Sequence, residues 1–190
     1  MNAMRVTSTE STSPRAATSA DGFTALDACH RKTLSTLEDL SALVTKLEHD
    51  GLDPATCARA AKIAAFFSTT VREHHEDEER HVFPALVEGG RPEIVQAVLR
   101  LQQDHDWLEE GWFELAPHVL AVAAGRQSYD VDTMRECAAV LAALFQDHIE
   151  LEESFIYPEA RERMPTEGRR EMGREMAARH RAEREARKAR

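Results

Sequence analysis

Apolar residues recur along the chain at intervals of three and four, the spacing of one face of an α-helix. The first run begins at Phe23 and ends at an Asp-Gly turn, with an apolar face of Leu26, Leu34, Leu37, Leu40, Val44 and Leu47. A second run follows Asp53-Pro54. This pair is typical of a helix start, because Asp can cap a helix and Pro suits its first turn. It continues to about Leu86, so the pattern predicts two helices, the second bent at Pro84.

Two further helices are predicted in the second half of the chain. One runs from near Pro92 to Gly125, and Pro117 within it should kink or shorten it. The other spans about Asp130 to Ala160, with inward residues Met134, Val140, Leu141, Leu144, Phe145, Leu151 and Phe155. Four helices joined by short connections predict an all-α, up-down-up-down four-helix bundle over residues 23–160, without strands.

The two ends of the chain have a different composition. Residues 1–22 are rich in Ser, Thr and Ala and show no helical period, which predicts a disordered arm. Residues 161–190 hold 11 Lys or Arg against 6 Glu and few apolar positions. They are interpreted as a charged helical tail, solvated or frayed, because they offer little to bury. A nucleic-acid-binding arm is less favoured, since acids interrupt the basic charge and aromatic residues are absent.

Charge and cysteine content exclude several classes of binding partner and metal site. The net charge of −10 argues against nucleic acid and anionic lipid. Cys29, Cys57 and Cys137 lie far apart without a CxxC pair, so neither disulfides nor a thiolate zinc site is indicated. Without an apolar run of signal-peptide or membrane-spanning length, a cytoplasmic protein with no membrane partner is expected.

One motif occurs twice, as HHEDEERHVFP at residues 74–84 and HIELEESFIYP at residues 148–158. Each copy has a His, a Glu four residues later, a second acid, and an aromatic residue before Pro. His75 also has an acid four residues later, but the repeat places Ile149 at its position and so favours His74. The pairs His74 and Glu78, and His148 and Glu152, are the candidates that the repeat selects.

Single histidines repeat as well. His30 and His105 each have a Leu four residues before and ten residues after them. The chain therefore resembles a duplicated helical hairpin, in which each half offers one lone His and one His-x-x-x-Glu.

This set of residues has the chemistry of a metal site. Residues four apart lie on one helix face, so four helices can converge four imidazoles and two carboxylates on one point. Two buried carboxylates are costly unless a cation compensates them, and imidazole with carboxylate favours iron or manganese over a closed zinc site. The candidate ligands are His30, His74, Glu78, His105, His148 and Glu152. The alternative is a helical adaptor whose His and Glu merely pair, because one isolated His-x-x-x-Glu usually marks a solvated ion pair.

The remaining histidines and the aromatic residues of the two motifs are expected to have structural roles. His81 should pack beside the site, and Phe83 and Tyr157 should cover apolar core. His49, His118 and His180 have no partner pattern and are interpreted as surface groups.

The chain resembles the hemerythrin HHE cation-binding family in four segments: LDACHRKTL, HHEDEERHVFPAL, QQDHDWLEEGW and DHIELEESFIYPEA. The resemblance covers about residues 23–160 and implies a bundle with two non-haem iron ions bridged by Glu78 and Glu152. Oxygen carriers of the family have a fifth His where this chain has Glu109, which makes Glu109 a further candidate ligand. The set of four His and two Glu is more similar to bacterial members linked to iron-sulfur repair and nitric oxide response.

The resemblance implies a protein that binds iron and reacts with or senses dioxygen, peroxide or nitric oxide. The alternative is reversible oxygen binding, or iron storage or sensing without catalysis. Whether the chain is an enzyme stays open.

Overall fold

The computed structural model describes residues 21–189. Most of the predicted N-terminal arm therefore lies outside the described residues. Its last two residues do not belong to an arm: the Asp21 side chain accepts a hydrogen bond from the Phe23 amide, and Gly22 begins the first helix.

Eight α-helices and two π-helical turns make up the described residues. The helices are α1 (Gly22–His49), α2 (Pro54–Ala65), α3 (Arg72–His81), α4 (Phe83–Val87), α5 (Pro92–Ala123), α6 (Val131–Leu151), α7 (Tyr157–Arg163) and α8 (Thr166–Lys188). The π-helical turns Phe66–Val71 and Glu152–Ile156 join α2 to α3 and α6 to α7 without a break. No strand occurs within residues 21–189, which confirms the all-α prediction.

The four long helical segments form the predicted bundle. Helix α1 packs against α2 and α6, and α5 packs against α2 and α6, so the segments close a ring. Helix α5 runs unbroken through Pro117, and the expected shortening there was wrong. Pro117 is exposed, so the carbonyl that loses its amide partner can be hydrated.

Two apolar clusters fill the bundle, one towards each end. The first includes Leu40, Phe67, Leu115 and Leu141, and the second includes Phe23, Leu101, Val82, Ile156 and Met172. In each long segment the candidate histidine lies between residues of the first and of the second cluster. The candidate site is therefore a buried polar layer between two apolar ones.

Helix α8 corrects the interpretation of the tail. It packs against α1 and α3, and Met172 and Met176 are buried in the second apolar cluster. Arg179 and His180 both pair with the buried Asp77 of α3, so His180 is not a free surface group. None of the described helices combines the length and apolar character needed to cross a membrane.

Candidate metal centre

The candidate residues of each half of the chain lie on α-helices. In each half, one π-helical turn interrupts the helical segment that carries the His-x-x-x-Glu pair. The first π-helical turn precedes His74, and the second begins at Glu152. A π-helical turn inserts one residue and so rotates the residues after it about the helix axis, and such turns occur often at functional sites. The two turns fall at different points of the repeat, so the two halves are not copies of one geometry.

The six candidate residues predicted from the sequence meet in the polar layer, and each is at most 5% exposed. Their side-chain atoms form two groups, within each of which the potential ligand atoms lie no more than 4.8 Å apart. One group contains His30 and His74, the other contains His105 and His148, and both contain Glu78 and Glu152. Two glutamates are thus shared by two pairs of imidazoles.

Each of the four imidazoles has its Nε2 within 3.5 Å of an oxygen of Glu78 or Glu152. His30 Nε2 lies 3.1 Å from Glu152 Oε2, and His148 Nε2 lies 3.3 Å from the same oxygen. His74 Nε2 and His105 Nε2 each lie 3.5 Å from Glu78, the first from Oε1 and the second from Oε2. The two oxygens of Glu78 therefore face different imidazoles.

The charge of this layer is not compensated by lysine or arginine side chains. Glu78 and Glu152 are fully buried, and no Lys or Arg of residues 21–189 lies within 4.0 Å of either carboxylate. Burial and the nearby charge of Glu78 raise the pKa of Glu152 well above its usual range. Burial alone would do the same to Glu78, but the imidazoles of His74 and His105 hold its pKa well below the usual range.

Several buried polar atoms in the layer have no hydrogen-bond partner. They include Nε2 of His105, Nε2 of His148, Oε2 of Glu78 and both carboxylate oxygens of Glu152. Leaving such an atom unpaired costs about 1–3 kcal/mol, and more for a charged group. Burial lowers the pKa of His74 to about 3, so its imidazole is neutral, the form that binds metal. The donor set fits a pair of cations.

Two outer glutamates hold histidines in the layer. His105 Nδ1 donates to Glu79 Oε1 at 2.8 Å, and His30 Nδ1 donates to Glu153 Oε1 at 2.9 Å. Glu79 and Glu153 are the second acids of the two motif copies, and each reaches a lone His of the other half. This contact fixes the tautomer that leaves Nε2 free for a metal. The second acid of each motif copy is the sequence feature that corresponds to this contact.

Tyr157 has a role that the sequence analysis missed. Its hydroxyl donates to Oε1 of Glu78 and lies 3.3 Å from Nε2 of His30, while its ring stacks on His30 at 5.4 Å. Burial and the charges of Glu78 and Glu152 raise the pKa of Tyr157 well above its usual range, so the phenol stays protonated. Its counterpart Phe83 stacks on His105 at 5.7 Å but has no hydroxyl.

Glu109 lies outside the layer, although its spacing from His105 made it a candidate ligand. Its side chain is 56% exposed and pairs with Arg72 at 3.1 Å. The same four-residue spacing brings Glu78 and Glu152 into the layer, so the spacing of Glu109 from His105 was not sufficient to predict its position. Glu109 belongs to neither of the two groups.

His75, which the repeat argued against, is buried with the ligand candidates. It is 5% exposed, and a nitrogen of its ring lies within 4.8 Å of nitrogens of His105 and His148. The apolar counterpart Ile149 is buried as well.

Two comparisons with known proteins show what the chain is similar to. The model of a family described as the hemerythrin HHE cation binding domain matches residues 21–160. A protein of Haemophilus influenzae, described only as uncharacterized, is 30% identical over 154 residues, which cover 81% of this chain and 87% of that protein.

Proposed function

The chain belongs to the hemerythrin HHE cation-binding family, and on that premise we propose that it holds two iron ions and reacts with or senses dioxygen, peroxide or nitric oxide. One ion would be held by His30 and His74, the other by His105 and His148, with Glu78 and Glu152 bridging them. One observation carries the proposal. Two fully buried glutamates are shared by two pairs of imidazoles, and no Lys or Arg of the described residues lies within 4.0 Å of them.

The donor chemistry favours iron over zinc. Each group offers imidazole nitrogens and carboxylate oxygens without a thiolate, a combination that suits iron and manganese. Cys29 is close enough to the layer for the charge of Glu78 to affect its thiol. Burial, and after it that charge, raise the pKa of Cys29 to about 12. It therefore stays a thiol and does not add a soft ligand.

The protein's own residues prepare the centre for a small ligand. Glu79 and Glu153 hold two of the imidazoles in place, and Tyr157 keeps a proton on its hydroxyl beside Glu78. The apolar clusters above and below exclude bulk water. Bound iron would supply electrons, and the four candidate residues around each position would leave room for a small ligand.

Anaerobic loading with ferrous ion, followed by stopped-flow mixing with dioxygen, hydrogen peroxide and nitric oxide, tests the proposal. Wild-type chain should bind about two irons and change its visible spectrum with at least one of the three. His148→Ala should lose both properties, whereas His49→Ala, an exposed histidine of α1, should keep them.

The outcomes separate the alternatives. Iron binding without any reaction would favour storage or sensing of iron, and a spectrum that recovers through repeated oxygenation cycles would favour reversible oxygen binding. Absence of bound iron would contradict the proposal and leave a helical adaptor.

A further inference from the structure

We propose that a surface cavity beside the polar layer binds a small aromatic amine in its positively charged form. The cavity has a volume of about 820 Å³ and lies between the first π-helical turn, α3, α5 and α6. This size is typical of small-molecule sites. None of the six candidate metal ligands lines the cavity, so binding there does not depend on iron.

The inner wall of the cavity is largely apolar and aromatic. Its buried residues are Phe67, Val71, His75, Leu108 and Phe145. Trp112 forms one side: its ring stacks on Phe67 at 5.0 Å, and its Nε1 donates to Ser68 Oγ at 3.1 Å. These contacts hold the indole in place before a ligand enters, which reduces the entropy that binding has to overcome.

His75 is the polar residue of the inner wall. It is 5% exposed, and its Nε2 is buried without a hydrogen-bond partner. Buried polar atoms of proteins are paired in the great majority of cases. An occupant whose aromatic ring carries an N–H group can supply this partner, so the wall favours a ring with a donor over a plain hydrocarbon.

The outer edge of the cavity is acidic. Glu109 pairs with Arg72 at 3.1 Å, but Glu110 and Glu114 have no basic group within 4.0 Å among residues 21–189. Both are exposed and lie four residues apart on one face of α5. The edge therefore attracts a positively charged group and repels an anion.

Two exposed apolar side chains continue the aromatic wall onto the surface. Phe113 is 80% exposed and Leu120 is 48% exposed, and both line the cavity. Contiguous apolar surface of this kind often marks a binding site. An aromatic ring among the inner residues and an ammonium group beside Glu110 and Glu114 would satisfy both parts of the cavity.

The test compares three indole compounds that differ in charge: tryptamine is a cation, tryptophol is neutral and indolepropionate is an anion. Binding to isotopically labelled protein is followed by NMR, through the indole N–H signals of the two tryptophans. The Trp112 signal should shift, whereas the signal of Trp107, which does not line the cavity, should stay. Trp107→Phe assigns the two signals. Tryptamine should bind at least about tenfold more tightly than tryptophol, and indolepropionate should bind most weakly.

A double variant, Glu110→Gln with Glu114→Gln, separates the contribution of charge from that of the apolar wall. Because both residues are exposed, the variant should fold like wild type. Its affinity for tryptamine should fall to that for tryptophol, and its affinity for tryptophol should not change. Glu136→Gln with Glu185→Gln removes two exposed glutamates outside the cavity and serves as the control.

Three results would overturn the proposal: equal affinity of wild type for the three compounds, unchanged affinity of the double variant for tryptamine, or no shift of the Trp112 signal with any compound. Iron content should be the same in wild type and in the double variant. Failure of this proposal therefore leaves the proposed function intact, and absence of bound iron in wild type would contradict the proposed function alone.

Discussion

Helix α3 buries carboxylates on two faces, and the two faces compensate them differently. On the outer face Asp77, 1% exposed, pairs with Arg179 and lies 2.9 Å from Nε2 of His180. On the inner face Glu78, fully buried, faces imidazoles and the Tyr157 hydroxyl and shares its layer with Glu152. The outer face carries its cations within the chain, and the inner face does not.

The difference distinguishes a structural site from a binding site. A buried acid with a resident arginine needs nothing from solution, whereas a pair of buried acids with only imidazoles and a phenol beside them is compensated by protons or by added cations. Adjacent residues of one helix thus contribute separately to the docking of α8 and to the candidate metal centre. Substitutions on one face should change a property that substitutions on the other leave alone.

The largest effect is expected from Glu152→Gln, which removes a shared carboxylate but keeps its shape. Iron content should fall from about two per chain to below one, because both ions lose a bridging oxygen. Without iron the variant should be at least as stable as wild type, since a buried acid has been replaced by a neutral group. Metal analysis and urea unfolding of both forms measure these effects, and unchanged iron content would contradict the assignment.

The matching substitution on the outer face is Arg179→Ala. It leaves Asp77 buried without its main partner and should cost about 3 kcal/mol of unfolding free energy, with or without iron. Iron content should stay at the wild-type value. Arg174→Ala, which removes an arginine from the same helix paired only with exposed Glu167 and Glu171, is the control. Equal losses in both variants would show that the pair with Asp77 has no special weight.

Tyr157→Phe should have an intermediate effect on the inner face. The variant removes the hydrogen bond to Glu78 and keeps the ring that stacks on His30. Two irons should still bind, with about tenfold weaker affinity, as expected when a group supporting a metal ligand is lost. Competition with a chelator measures the affinity. Tyr129→Phe, at a tyrosine outside the layer, should leave it unchanged.

The smallest effect concerns His180 and pH. The hydrogen bond to Asp77 raises the pKa of His180, so protonated His180 stabilises the docked α8. This contribution is complete below the ordinary histidine pKa of about 6.5 and is lost as pH rises through the raised value. Arg179 and Glu73 also face the ring and partly offset each other.

The corresponding variant is His180→Gln. Its unfolding free energy should fall below that of wild type by no more than about 1 kcal/mol at about pH 6, and the gap should close at about pH 9. Urea unfolding at both values measures it. A gap that grows with pH would contradict the role given to His180.

The sequence was sufficient to predict the four helical segments and to bring six candidate residues together, because helical periodicity and the doubled motif act through local spacing. It failed where the two halves differ. The repeat aligned Tyr157 with Phe83 and His75 with Ile149, so it hid the hydroxyl and the extra imidazole.

The docking of α8 on the bundle could not be predicted from local sequence patterns either. The helix buries only Met172 and Met176, too few apolar residues to predict an inner face. Its contact depends on Arg179 reaching Asp77 and Glu76, two acids of the same motif that supplies Glu78 to the polar layer. Val140 shows the reverse error: its apolar character suggested an inward position, but it is 61% exposed.

In the proposed arrangement, Glu78 and Glu152 lie between two bound cations. Crystals of iron-loaded wild-type protein, with diffraction recorded at the iron absorption edge, test it most directly. Two anomalous peaks are predicted, one beside His30 and His74 and one beside His105 and His148, each within bonding distance of both glutamates. A single peak, or iron bound only at surface carboxylates such as Glu109, would contradict it.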